Sequence, residues 1–233
     1  MKPLRVLLFD VFGTLVDWRA SLIEQAEAVA ASDGLQADWP AVIDDWRRAY
    51  QPAMDSIRQG APWRDLDSLQ RETLDDVLAK RDISLPAADR ESLVLGWRQL
   101  RPWPDSRAGL DRLRRKHVTA TLSNGHLALL ADLLKFADLR MDAVLSAQLA
   151  GSYKPDPQVY LTALDLLECR PEDAGMVAAH GSDLEAAAAV GLRPIFVRRP
   201  LEWGPGAAPP GPPALDGLLD ADGLSDLATR LGC

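Results

Sequence analysis

Short apolar runs alternate with longer amphipathic segments along much of the chain. Five runs have the length and flanking turn residues of buried parallel strands: 5–10, 118–122, 143–147, 175–179 and 194–198. Helical patterns of apolar residues accompany them at 105–116, 126–137, 156–168 and 182–190. Because alternating strands and helices build parallel sheets covered on both faces, we predict an α/β fold with a Rossmann-like parallel-sheet core.

Residues 16–100 do not follow this alternation. They show helical periodicity with almost no strand signal, most clearly within 39–60, 66–83 and 87–100. One predicted strand precedes the segment and the others follow it. We therefore predict a helical cap at 16–100, inserted into a core formed by 1–15 and 101–233. Such a cap would cover the carboxyl ends of the strands, where open α/β sheets bind ligands.

The chain after the last predicted strand changes character. Residues 200–213 hold six prolines and three glycines, which predicts an irregular and fairly stiff loop. Too little chain follows for this loop to be an interdomain linker. We expect 214–233 to return to the core as a short strand and a helix.

Composition and charge exclude several classes of protein. The chain has 26 basic and 34 acidic residues and a formal net charge of −8, whereas nucleic-acid-binding proteins need a basic face. No apolar run approaches the roughly 18–20 residues that span a bilayer, and Asp10 interrupts the N-terminal apolar stretch too early for a signal peptide. Two cysteines make no disulfide framework. We expect a cytoplasmic protein with neither nucleic-acid nor membrane partners.

Polar residues with catalytic potential gather at the ends of the predicted strands and in the loops beside them. In a doubly wound sheet these positions converge on one crevice. An aspartate with a hydroxyl, an amide, a lysine and a second acid around it forms a nucleophile with its supporting groups. The residues are Asp10, Thr14, Ser123, Asn124, Lys154, His180 and Asp183.

Four segments, in this order along the chain, resemble the four motifs of the haloacid dehalogenase superfamily. They are Phe-Asp-Val-Phe-Gly-Thr-Leu-Val at 9–16, Thr-Leu-Ser-Asn-Gly at 121–125, Tyr-Lys-Pro at 153–155 and Ala-Ala-His-Gly-Ser-Asp at 178–183. The resemblance extends over essentially the whole chain. Any one motif alone is a weak signal, but four in the right order and spacing are a strong one.

Position 12 separates two branches of that superfamily. Most members are magnesium-dependent phosphatases with a second aspartate two residues after the nucleophile, where this chain has Phe12. An aromatic residue there resembles the metal-independent type II 2-haloacid dehalogenases, which need no acid because a halide leaves as an anion. The resemblance implies a dehalogenase without a cofactor, acting on a small haloacid and water. A magnesium-dependent phosphatase or phosphonatase, and a non-catalytic relative, remain the alternatives.

The resemblance also implies roles for individual residues. Asp10 would attack the carbon that bears the halogen and form an ester, and Lys154 would keep Asp10 ionised. Arg47 would receive the leaving halide, with its neighbour Arg48 as the alternative assignment. Asp183 would position and deprotonate the hydrolytic water. Ser123 and the backbone amides near Val11 and Asn124 would hold the substrate carboxylate. Thr14 and Tyr160 would have supporting roles.

Two further features bear on the substrate. Better-known haloacid dehalogenases have a serine and an asparagine where this chain has Ala178 and His180, and the variant sequence, like 199–205, resembles relatives that attack haloacetates. His180 would orient the water or act as the base itself. Trp18 and Trp63, near the predicted hinge and a cap loop, join Val11 and Phe12 as candidate substrate contacts. Relatives are often dimers, so a homodimer is possible.

Overall fold

A computed structural model describes residues 3–32 and 34–233, and its core is a parallel sheet. The strands among these residues are β1 (Val6–Phe9), β2 (Val16–Asp17), β3 (Arg101–Pro102), β4 (Val118–Ser123), β5 (Ala143–Ser146), β6 (Ala174–Ala178), β7 (Arg193–Val197) and β8 (Leu219–Ala221). Six of these strands form one sheet in the order β5-β4-β1-β6-β7-β8, and all of its neighbours are parallel. The predicted α/β fold is therefore confirmed.

Helices follow most of the strands. They are α1 (Trp18–Ser32), α2 (Trp39–Arg58), α3 (Leu66–Lys80), α4 (Ala87–Gly96), α5 (Ser106–Leu113), α6 (Leu127–Phe136), α7 (Pro157–Leu166), α8 (Gly181–Ala189) and α9 (Leu224–Arg230). None of the described helices is both long and apolar enough to cross a membrane. The short strand and helix predicted for the end of the chain correspond to β8 and α9.

Strand β1 explains why the site lies where it does. Its four residues, Val-Leu-Leu-Phe, are fully buried, and the strand lies inside the sheet between β4 and β6. Phe9 pairs in register with Thr121 of β4 and Val177 of β6. The next residue, Asp10, therefore stands at the carboxyl edge of the sheet, where the chain leaves three neighbouring strands.

The helical segment between β2 and β3 leaves the core and returns to it at one point. Val16 pairs with Pro102 and Asp17 with Arg101 in an antiparallel bridge that the sequence pattern did not predict. Between these two strands lie α1 to α4. Trp97 lies at the end of α4, and four aromatic rings pack around it at centroid distances of 5.5 to 6.3 Å: Phe12, Trp18, Trp46 and Tyr50.

Candidate active site

A cavity of about 290 Å³ opens where the carboxyl edge of the sheet faces α2. Asp10, Asn124, Lys154, His180 and Asp183 line it from the sheet side. Residues of α2 line the opposite side, among them Arg47, Tyr50 and Met54. The structure thus brings together most of the charged residues singled out from the sequence. The volume of the cavity lies near the lower limit of the range for small-molecule sites, about 300–1,000 Å³.

Asp10 is held by three hydrogen-bond donors at this cavity. Lys154 Nζ donates to Oδ1 at 3.0 Å, and Thr14 Oγ1 donates to Oδ2 at 2.8 Å. His180 Nδ1 lies 3.2 Å from the same Oδ2. Burial alone would raise the pKa of Asp10, but the charges of Lys154 and His180 outweigh it and hold this pKa well below its usual range. Asp10 is an ionised carboxylate at neutral pH, and therefore a competent nucleophile.

A tight loop after Asp10 fixes Thr14. The Leu15 amide donates to the Val11 carbonyl at 2.9 Å, and Gly13 in this loop has φ of +86°, a conformation that favours glycine. The Thr14 hydroxyl accepts from the Ala179 amide at 2.9 Å, so its own proton points to Asp10. The loop thereby joins the end of β1 to the end of β6.

Lys154 bridges two carboxylates. Its ammonium lies 3.0 Å from Asp10 and 2.5 Å from Asp183 Oδ2, and all three side chains are at least nine-tenths buried. Tyr160 Oη donates to the other oxygen of Asp183 at 2.6 Å. Burial raises the pKa of Asp183, which the Lys154 charge partly offsets. Both oxygens of Asp183 therefore already accept a hydrogen bond from the protein.

His180 lies between two acids, one of which sequence reasoning missed. Its Nε2 is 2.9 Å from Oε1 of Glu202, a residue only 1% exposed in the loop after β7. Burial opposes charge on the imidazole, but Glu202 and Asp10 outweigh it and raise the pKa of His180 to about 10. His180 is thus an imidazolium in the free protein. The only sequence signal for Glu202 was the resemblance of 199–205 to haloacetate-attacking relatives.

The two candidate arginines of α2 take different environments. The Arg47 guanidinium lies over the rings of Trp18 and Tyr50, 5.4 and 5.1 Å from their centroids, and donates to the Tyr50 hydroxyl. The neighbouring Arg48 is exposed and pairs with Asp45 at 2.8 Å. Both arginines border the cavity, but only the Arg47 side chain is held in place there by these aromatic rings.

Several other residues named from the sequence lie behind the cavity wall. Trp18 is fully buried and donates from Nε1 to Glu202 at 3.0 Å, and Trp63 stacks on Tyr153 with centroids 4.6 Å apart. Val11 and Ser123 are also fully buried. None of these four borders the cavity: Trp18, Val11 and Ser123 are covered by their neighbours, and the partly exposed Trp63 lies outside its lining.

Asn124 does reach the cavity, and it also shapes the loop that carries Lys154. Its Oδ1 accepts from the Lys154 amide at 2.7 Å, and its Nδ2 donates to the Lys154 carbonyl at 3.4 Å. The two bonds fix the backbone on both sides of the lysine. Phe12 lines the cavity as well, with its ring edge against Trp97.

Comparison with known proteins places the chain in a family. The model of the haloacid dehalogenase-like hydrolases matches residues 4–191. The solved structure of the L-2-haloacid dehalogenase PA0810 is 44% identical, with a TM-score of 0.93 over 98% of this chain and 99% of that one. That of the defluorinating L-2-haloacid dehalogenase Rha0230 is 38% identical, with a TM-score of 0.94 over 99% and 96%.

A curated relative agrees with these structures. The (S)-2-haloacid dehalogenase 1 of Pseudomonas sp. (strain CBS-3) is 27% identical over 203 residues, which cover 85% of this chain and 86% of the relative. The match of the family model, the four motifs and the buried aspartate at the end of β1 all point the same way. This chain belongs to the haloacid dehalogenase-like hydrolases.

Proposed function

We propose that this protein hydrolyses the carbon–halogen bond of short 2-haloacids, such as haloacetates and 2-halopropionates, and releases the 2-hydroxyacid. The observation that carries the proposal is the environment of Asp10. Three donors keep its carboxylate ionised at the cavity, while the side chain two residues later is the phenyl ring of Phe12. The site therefore offers a nucleophile without the acid that protonates an alcohol leaving group.

The reaction proceeds in two displacements. One oxygen of Asp10 attacks the carbon that bears the halogen, the new carbon–oxygen bond forms, and the halide leaves with the bonding electron pair. Water then hydrolyses the resulting ester, which restores the carboxylate and releases the hydroxyacid. The balance of the whole cycle is one halide ion and one proton released for each water consumed.

Arg47 is suited to stabilise the departing halide. Its guanidinium lies at the α2 side of the cavity, opposite Asp10, and the rings of Trp18 and Tyr50 keep it in place. A cation held by aromatic faces stays charged and loses little conformational freedom when an anion arrives. We propose that the helical segment 16–100 acts as a cap that supplies this anion site.

The size and the donors of the cavity favour small acids and disfavour a magnesium site. About 290 Å³ accommodates a substrate of a few carbon atoms with little water. Magnesium takes about six oxygen ligands, yet Asp10 and Asp183 are both already paired with Lys154 and Phe12 offers no oxygen. These residues do not fit the ion, which is why we favour a dehalogenase over a phosphatase.

A single-turnover experiment in water enriched with heavy oxygen tests the proposed function. The protein is in excess over 2-chloropropionate, and EDTA is present. We expect EDTA to leave chloride release unchanged and the oxygen label to enter Asp10 rather than the product. Peptide mass spectrometry locates the label. Label in the hydroxyacid alone would contradict the ester, and loss of activity with EDTA that magnesium restores would favour the phosphatase branch.

Replacing Arg47 by alanine is expected to lower kcat for chloride release about 100-fold, because the halide loses the charge that meets it in the transition state. Arg48→Ala is the matched control, since its guanidinium is exposed and paired with Asp45, and we expect a change of less than about threefold. Steady-state halide assays measure both. Equal losses in the two variants would show that Arg47 has no special role.

A further inference from the structure

Glu202 is a buried acid for which the two displacements give no obvious use. It comes from the proline-rich loop, far from the motif residues in sequence, yet its carboxylate lies directly behind His180. Oε1 accepts from Trp18 Nε1 at 3.0 Å and lies 2.9 Å from His180 Nε2. Oε2 is buried without a hydrogen-bond partner among the described residues. Buried ion pairs contribute little net stability, so stability alone is a weak reason to keep this one.

The surrounding chain is built to hold Glu202 in this position. Arg199 anchors the loop, since its Nε donates to the Thr14 carbonyl at 2.9 Å and its guanidinium pairs with Asp105 at 2.7 Å. A Cβ atom on Gly13 would lie 2.2 Å from Glu202 Oε1 and 3.1 Å from the His180 ring. Glycine at position 13 therefore leaves the room that the carboxylate and the imidazole occupy.

The hydrogen bonds of the two candidate bases differ. Asp183 already accepts from Lys154 at one oxygen and from Tyr160 at the other. His180 Nδ1, in contrast, has as its partner the Asp10 carboxylate itself, at 3.2 Å. When Asp10 becomes a neutral ester, His180 loses that negative partner, while Glu202 remains at the far side of the ring.

We infer that His180 and Glu202 form a dyad that activates the water in the second displacement, with His180 Nδ1 as the proton acceptor and Glu202 as a positioning residue. This inference rests on the proposed function. His180 is a quarter exposed at the cavity, so both water and solvent protons reach its ring.

The proton balance closes over the cycle. Attack by Asp10 converts its carboxylate to a neutral ester and the negative charge leaves with the halide. The imidazolium of His180 then gives its Nδ1 proton to solvent. Water adds to the carbonyl carbon of the ester, and one of its protons goes to Nδ1. The other ends on the hydroxyl of the product as the bond between the carbonyl carbon and the alkoxide breaks. Asp10 is again a carboxylate beside an imidazolium, and the net proton released is the one that His180 gave up.

Charged groups face the dyad from every side, and they set its pH dependence. Asp10 and Glu202 raise the proton affinity of the imidazole, and Lys154 pairs with both Asp10 and Asp183. The charge of Arg47 helps to lower the pKa of Glu202. In the ester, Glu202 is the remaining acid in contact with His180. Ester hydrolysis should therefore speed up with rising pH as His180 loses its proton, and removal of the Glu202 charge should shift that rise to lower pH.

Rapid-quench kinetics with 2-chloropropionate tests the dyad. We expect Glu202→Gln and His180→Asn to release about one chloride per active site quickly and then to turn over at least about 10-fold and 100-fold more slowly than the unaltered protein. Intact-mass spectra should show the ester in both variants. Glu185→Gln, an exposed glutamate on α8, is the matched control and should behave like the unaltered protein.

The pH profile of the slow phase distinguishes a base from a structural support. We expect the low-pH limb to move to lower pH in Glu202→Gln and to disappear in His180→Asn. A limb that persists unchanged in His180→Asn, or variants that accumulate no ester, would overturn the dyad and favour Asp183 as the base. If His180→Asn does not fold, the Glu202→Gln variant is sufficient as a test: a low-pH limb that does not shift in this variant would overturn the dyad. Failure of the proposed function is separate, since the unaltered protein would then release no chloride.

Discussion

Replacing Asp10 by asparagine is expected to lower halide release from 2-haloacids by at least about 10⁴-fold while the fold is retained. The amide keeps the size of the side chain and its bond from Thr14. It cannot, however, form the ester, because an amide oxygen is a far weaker nucleophile than a carboxylate. Glu202 cannot replace Asp10, because it lies behind His180 and does not border the cavity.

The same substitution should change the charge of the site in a measurable way. Asp10 supports the charged form of His180. The pKa of Asp10 itself is lower in the folded protein than in the unfolded chain. The group therefore stabilises the folded protein above its unfolded pKa, and this contribution is lost as the pH falls toward its folded pKa. Asp10→Asn should remove that part of the acid sensitivity of unfolding.

Halide assays and circular dichroism measure the two effects separately. Asp111→Asn, an exposed aspartate of α5, is the matched control and should leave both unchanged. Residual turnover in Asp10→Asn within about tenfold of the unaltered protein would contradict the role of Asp10 as the nucleophile, because no ordinary positioning effect survives its loss so well.

The location of the proposed nucleophile can be predicted from the sequence because it depends on local chemistry. Val6–Phe9 is a short and wholly apolar run, which folds as a central strand, and Asp10 is the first polar residue after it. Lys154 and Asp183 follow from motifs at the ends of later elements. All three meet because parallel strands end at the same edge of the sheet.

The position of Glu202 could not be derived from pattern in the same way. It lies in a loop without periodicity, 22 residues from His180 and 184 from Trp18, and only the folded chain brings the three together. For Trp18, by contrast, the sequence suggested a contact that the folded structure does not show. Its place near a predicted hinge suggested a substrate contact, but the packing of Trp97 and Trp203 around it buries the ring completely.

Replacing Lys154 by methionine is expected to have the largest combined effect on activity and stability. The variant leaves Asp10 and Asp183 buried without their shared cation. Removal of one partner from a buried ion pair costs about 3–5 kcal/mol of unfolding free energy. Activity should fall at least about 10³-fold, since the carboxyl group that attacks is then protonated for part of the time and the loop held by Asn124 loses its anchor at the site.

The unfolding free energy of Lys154→Met should also fall more steeply with rising pH than that of the unaltered protein. In the unaltered protein the low pKa of Asp10 makes folding more favourable above its unfolded pKa. Without the ammonium, burial and the charge of Asp10 raise the pKa of Asp183 further, and Asp10 keeps only His180 as a neighbouring cation, so the folded variant binds protons more tightly than the unfolded chain. Its unfolding free energy should therefore fall as the pH rises from about 5 to about 8.

Urea unfolding at several pH values, with halide assays on the same preparations, measures these outcomes. Lys135→Met, an exposed lysine of α6, is the matched control for loss of a charge and should stay close to the unaltered protein. A Lys154→Met protein whose unfolding free energy falls with pH no more steeply than that of the unaltered protein would contradict the shared-cation role, because Asp183 would then still be compensated by another group. A variant that keeps full activity would show that Asp10 needs no neighbouring charge beyond that of His180 to remain ionised.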